Sequence, residues 1–254
     1  MKKTKALLLT EGMHGMISQV EGMAKALKAD YSHKIVTLSF PWKFIPPKFT
    51  PISETILKDR LILSENESLD FIISCGRKSV VPSIIIKKMN PKIFTIHIQN
   101  PKVNSKYFDA VIAPLHDNLT GENIFSTKGA IHYITETEIN QAKSYLNNRI
   151  DSNKVVTLIL GGPNKYYNFS EEQLKIIFKE IKNNFMSRGY KVIIIPSMRT
   201  PKNIIELSKI KLEQNSLVIE TIDKKAYLSA LSLAKYICVT CDSTSMISEA
   251  ALTG

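Results

Sequence analysis

Short apolar runs recur along this chain, each closed by glycine, proline or polar residues and most followed by a stretch of helical spacing. In the first half they are "KALLLT" (5–10), "KIVTLSF" (34–40), "DFIISCG" (70–76), "KIFTIHI" (92–98) and "DAVIAP" (109–114). Ile17, Val20, Ala24 and Leu27 repeat at helical intervals after the first run, and an apolar helical stretch near 79–89 follows the third. Strands alternating with helices predict a parallel sheet covered by helices, because a parallel pair needs a crossover between its strands. The Pro-rich "PWKFIPPKFTP" (41–51) can only be a loop.

Residues 135–153 predict a helix and then a polar connection, "NNRIDSNK", after which the rhythm restarts. "KVVTLILGG" (154–162), "KVIIIPS", "SLVIE" and "YICVTC" read as strands, with "SEEQLKIIFKEIKNNFMSRG" (170–189) as a helix. Ser170 is the predicted N-cap of that helix, with Gln173 at the third position of a capping box. The fold class expected is α/β with two Rossmann-like domains, 1–152 and 153–254.

Composition narrows the function. The net charge is +11, from 34 Lys and Arg against 23 Asp and Glu. Such a surface is either simply solvated or suited to anionic lipid headgroups or a phosphorylated ligand. Nucleic acid is not expected, since no stretch clusters Lys or Arg with interleaved aromatics. The N-terminal apolar run is too short for a signal sequence, and no stretch approaches the roughly 20 apolar residues that span a bilayer. The expectation is a cytoplasmic protein whose membrane contact, if any, is peripheral on the inner membrane. Three cysteines, Cys75, Cys238 and Cys241, read as reduced thiols near strand ends.

Ligands of open α/β sheets bind beyond the carboxyl ends of strands. In the second half those positions are "GGPNKYYNF" (161–169), "PSMRT" (196–200) and "CDSTS" (241–245). Gly161 and Gly162 form either a tight turn or a close backbone approach to phosphate, with N–H groups reaching to Asn164. Arg199 is either a surface arginine or an anion contact. Asp242 or Ser243 caps a helix reaching about Thr253, with Gly254 at its end. Ser245 and Glu249, four apart, share one face, while Ile247 and Ala251 are expected toward the core. A carboxylate so placed suits sugar or ribose hydroxyls, and Ser243 and Ser245 suit phosphate. In the first half, "EGMHGM" places His14 before a helix, and "CGRKS" places Arg77 at a strand end as an anion contact. "HIQNP" and "PLHDN" put Gln99, Asn100, His116 and Asp117 on neighbouring loops. His14 or His116 is the candidate general base, with Asp117 orienting or replacing it.

The final strand, loop and "SEAALTG" resemble the donor segment of two-domain nucleotide-sugar glycosyltransferases of the GT-B fold, a resemblance that implies a ribose-binding role for Glu249. A second resemblance covers most of the chain. "EGMHGMISQVEGMAKAL" (11–27), "ISCGRKSV" (73–80), "IHIQNPKVNSKYFDAVIAPLHD" (96–117), "GENIFSTKGAIH" (121–132), "LILGGPNKYYNF" (158–169) and "VTCDSTSMISEAALTG" (239–254) are similar, in order, to the mitochondrial-fission "elongated mitochondria" family. Its plant members are implicated in recruiting a dynamin-related protein to mitochondria. Relatives continue beyond the final glycine, so the resemblance implies a second domain incomplete at its C-terminus. Two functions follow as expectations. One is transfer of a sugar from a nucleotide-sugar donor to an acceptor not identified by sequence, with no cofactor and no metal. The other is a non-catalytic adaptor on an anionic membrane surface.

Overall fold

The computed structural model describes residues 3–59, 69–150, 153–212 and 216–253. The chain divides into two compact units, Met1–Tyr133 and Ile134–Gly254.

The first unit is built from β1 (Lys5–Thr10), α1 (His14–Ala26), β2 (Asp30–Ile35), β3 (Phe71–Cys75), α2 (Val80–Met89), β4 (Phe94–Ile98), β5 (Ala110–Pro114) and β6 (Ile124–Thr127). Its strands form one parallel sheet in the order β2-β1-β3-β4-β5-β6. Both faces are covered, which explains why the strands read as continuous apolar runs rather than alternating ones. Leu8, Ile73 and Ile96 pack with Val20 and Ala24 of α1 on one face. Leu7, Leu9 and Ile72 pack with Val81 and Ile85 of α2 on the other. The second strand differs from its prediction: it runs over the polar 30–35, not 34–40. It is an edge strand held in register by β1 alone, so pairing rather than apolar content defines it.

The second unit contains α3 (Glu136–Ala142), α4 (Ser144–Asn147), β7 (Val155–Leu160), α5 (Glu171–Asn184), β8 (Lys191–Pro196), α6 (Lys202–Lys211), β9 (Ser216–Val218), α7 (Lys224–Leu233), β10 (Tyr236–Val239) and α8 (Thr244–Ala250). Its sheet is parallel in the order β10-β7-β8-β9. Leu174, Phe178 and Ile181 of α5 cover one face, against Val156, Leu158 and Ile194. The capping box at Ser170 and Gln173 forms as the sequence predicts. On the other face Leu146 and Ile150 join Val155, Ile193 and Ala230. The Leu146 N–H also donates to Ser229 Oγ at 3.0 Å. Residues 134–150 therefore belong to the second unit, which begins earlier than the sequence suggests. The expected boundary near 152 itself lies outside the described residues.

Candidate functional site

In the second unit, three strands end around one carboxylate. Asp242, just past β10, has a side chain only 3% exposed and lies 2.6 Å from Arg199 Nη2. Thr240 Oγ1 donates to Asp242 Oδ1 at 2.6 Å, and the Gly162 N–H donates to Oδ2 at 3.2 Å. The Gly161 N–H donates to Thr240 Oγ1 at 2.8 Å. Arg199 Nη1 also donates to Gly162 O at 3.2 Å. Asp242 was expected only as a helix cap, yet it is the centre of the cluster. That cap is Ser243, whose Oγ faces the Met246 N–H.

These bonds reassign several predicted groups. Gly161 and Gly162 are required because of the protein's own packing. A Cβ on Gly161 would overlap the Asp242 carboxylate, and one on Gly162 would overlap the Arg199 backbone. Their N–H groups are already bonded within the unit, as is that of Asn164, which donates to Tyr167 O at 3.0 Å. The Asn164 side chain ties the same loop together: Nδ2 donates to Asp242 O at 2.9 Å and Oδ1 accepts from Tyr166 N at 2.8 Å. Arg199, both of whose terminal nitrogens are bonded, keeps a side chain 30% exposed.

On α8, Ser245 is half-buried and Glu249 is buried, 6% exposed. The Tyr227 hydroxyl of α7 donates to Glu249 Oε2 at 3.1 Å. Ile247, expected in the core, is 43% exposed, and Ala251 is exposed as well. The bond to Tyr227 turns the Glu249 and Ala250 side inward instead. Gly254 lies outside the described residues.

In the first unit, Arg77 is an internal clamp rather than a free anion contact. Its Nη1 donates to Ile45 O at 2.8 Å and its Nη2 to Lys43 O at 2.5 Å. His14 is exposed at the start of α1, its ring 6.5 Å from that of Tyr133. His116 and Asp117 lie in a single turn after β5, His116 exposed and Asp117 half-buried. Strands β3 and β4 separate β1 from β5. At about 4.8 Å per strand, the two histidines follow strands about 14 Å apart and do not form a pair. Gln99 takes a left-handed φ of 81° at the end of β4, and Asn100 Oδ1 accepts from Lys102 N.

Two pairs escaped the sequence reading. Glu11 joins the ends of β1 and β3, with Lys78 Nζ at 2.9 Å from one carboxylate oxygen and the Lys78 N–H at 2.9 Å from the other. His97 faces Ser74 in register on the neighbouring strand, Nδ1 to Oγ 2.8 Å, and both are buried. Burial pushes the His97 pKa down to about 3, so its imidazole is neutral. The signal was present: a polar residue in each of two apolar strands.

Residues 14–254, spanning both units, match the model of the family described as mitochondrial fission ELM1. The chain belongs to the mitochondrial fission ELM1 family. Within reach of that family, the uncharacterized protein RP120 of Rickettsia prowazekii is 26% identical over 91% of this chain and 77% of its own length. The mitochondrial fission protein ELM1 of Arabidopsis thaliana is 26% identical over 72% of this chain, which spans about half, 49%, of the plant protein. Among solved structures, the UDP-GlcNAc 2-epimerase of Methanocaldococcus jannaschii in complex with UDP-GlcNAc and UDP superposes with a TM-score of 0.54. It is 14% identical, with 99% of this chain and 82% of the epimerase covered. That level of identity carries the fold alone: this ELM1-family chain has the GT-B-like pair of parallel α/β units that its sequence predicts.

Proposed function

We propose that the second unit takes a nucleotide-sugar at the carboxyl ends of β7, β8 and β10, and that the protein transfers its sugar to an acceptor. The observation that carries this reading is the convergence of Gly162, Arg199, Asp242 and Ser243 at three strand ends, with the Glu249 carboxylate buried on the helix that follows. Sheets of this kind bind ligands at that edge. The epimerase of like fold is itself a complex with a nucleotide-sugar.

In the reaction, the acceptor hydroxyl attacks the sugar's anomeric carbon as the bond to the diphosphate breaks. The leaving diphosphate carries off the bond's electron pair, and the acceptor's proton passes to a base. Arg199 meets the diphosphate, where a cation held in place by Asp242 stabilises the charge that develops. Ser243 and Ser245 donate hydroxyls to phosphate, and Glu249 accepts from ribose hydroxyls.

Calorimetric titration with UDP-, GDP- and ADP-sugars tests this. One of them should bind, and both Arg199→Ala and Glu249→Gln should weaken binding by about tenfold or more, as loss of a charged contact does. Absence of heat with all three at millimolar concentration ends the proposal.

A second reading, a non-catalytic adaptor on an anionic membrane surface, is favoured by a different observation. The Gly161 and Gly162 N–H groups and one face of Arg199 are satisfied by Thr240 and Asp242 without any ligand. A fold retained for scaffolding would close its strand ends in this way.

A further inference from the structure

Residues 40–49, Phe-Pro-Trp-Lys-Phe-Ile-Pro-Pro-Lys-Phe, hold an unusual amount of apolar surface in solvent. Phe40 is 79% exposed, and Phe44 and Phe49 are each 70% exposed. Phenylalanine is ordinarily among the more buried residues, and clustered exposed apolar side chains mark an interaction surface.

The exposure is not that of a loose loop. The Lys43 N–H donates to Ser39 O, that of Phe44 to Pro41 O and that of Ile45 to Trp42 O, winding the segment into a compact turn. Phe40 and Phe44 both leave their rings in solvent at this turn. Trp42 points the other way, against the cluster of Val36, Leu38, Ile56 and Ile85. A second turn, Pro47–Phe49, follows, with Pro47 buried. Arg77 clamps the Lys43 and Ile45 carbonyls, and Ser39 N donates to Ile56 O at 2.8 Å. The three rings are thus presented by a braced support.

Charge and backbone chemistry identify what covers them. Lys43 and Lys48 alternate with the rings, their ammonium groups 4.9 Å from the Phe44 ring and 5.9 Å from the Phe49 ring. No Asp or Glu occurs between Asp30 and Glu54. The N–H groups of Lys43, Phe44, Ile45, Phe49 and Thr50 are bonded internally, and Pro41, Pro46, Pro47 and Pro51 have none. With most of its N–H groups bonded from within or absent, the segment costs less to bring against a medium that offers no hydrogen bonds. Apolar rings flanked by lysines fit the boundary between acyl chains and anionic headgroups.

We propose that this loop docks the protein on an anionic phospholipid bilayer, with Phe40, Phe44 and Phe49 inserted and Lys43 and Lys48 at the headgroups. The surface is independent of the nucleotide-sugar site and supplies the contact that the adaptor reading requires. Vesicles report on this loop and sugar titration reports on the second unit, so the two can fail separately.

Trp42, the single tryptophan, is the natural probe. With mixed phosphatidylcholine–phosphatidylglycerol vesicles, the unmodified 254-residue chain should co-sediment, and lipids brominated on their acyl chains should quench Trp42. Added salt, or vesicles of phosphatidylcholine alone, should weaken binding. The Phe40→Ser/Phe44→Ser/Phe49→Ser variant, checked by circular dichroism, should bind about tenfold or more weakly, as removal of buried ring area at an interface demands. Lys43→Glu/Lys48→Glu should lose the preference for anionic lipid. Three results overturn the proposal: an unmodified chain that neither sediments nor is quenched, a triple-serine variant that binds unchanged, or self-association through the three rings without vesicle binding. The quenching arm uses no variant, so it decides even if the triple variant misfolds.

Discussion

Arg199 Nη2 lies 2.6 Å from Asp242 Oδ2, and the Gly162 N–H reaches the same oxygen at 3.2 Å. The Asp242 side chain is almost wholly buried, while the Arg199 side chain keeps contact with water. Asp242→Ala should therefore destabilise the chain by roughly 3 kcal/mol, the lower end for breaking a buried pair, because the abandoned arginine can be resolvated. Urea unfolding measures it.

Gly161 tests the same packing from the other side. Gly161→Ala, which drives a methyl group into the Asp242 carboxylate, should lose roughly 1–3 kcal/mol. Combined with Asp242→Ala, the loss should fall well short of the sum, since the clash partner is gone. Strict additivity in that cycle would mean the glycine serves some other purpose.

His97 makes stability depend on acidity. Buried beside Ser74, its pKa is about 3 in the folded chain against an ordinary value of about 6.5. Its contribution is complete above about pH 6.5 and declines as the pH falls toward 3, by up to about 1.4 kcal/mol per pH unit, because the unfolded chain takes the proton first. His97→Gln should flatten the stability profile between about pH 6.5 and pH 4, read by urea midpoints at several pH values.

Arg77 holds two carbonyls with the two arms of its fork. Arg77→Lys, offering a single ammonium, should not replace it. Both Arg77→Lys and Arg77→Ala should lower the fluorescence anisotropy of Trp42 and speed protease cleavage in 39–50. Unchanged anisotropy in both variants would show the loop is braced by its own turns.

Tyr227 donates to the buried Glu249. Tyr227→Phe should lower stability by roughly 1–2 kcal/mol through the weakened solvation of that carboxylate, and Glu249→Gln should lose less than Tyr227→Phe. Thermal unfolding of the two variants at neutral pH ranks them.

Most of the architecture could be read from the chain because strands buried on both faces announce themselves as apolar runs. The exceptions, β2 and β6, lie at the two edges of the first sheet and have no buried side chain, so they carry no apolar signal. The strand-end residues were found by position, but their bonding was not. That Arg77 turns to Lys43 and Ile45, more than thirty positions earlier, depends on how a proline-rich loop folds back. The meaning of Gly161 depends on Asp242, which only the pairing of β7 with β10 brings alongside. The same loop 41–51 was recognised as a connection, yet which of its rings face water is fixed by Trp42 taking the inner position.

The pairing of Tyr236 with Val156 has a consequence for biosynthesis. Strand β7 emerges from the ribosome long before β10, and until then one flank of this apolar strand has its amides and carbonyls unmatched. Distant partners delay sheet closure, and an open flank invites pairing with another nascent chain. The second unit should thus be the aggregation-sensitive half during translation, sensitive to any delay between residues 160 and 236.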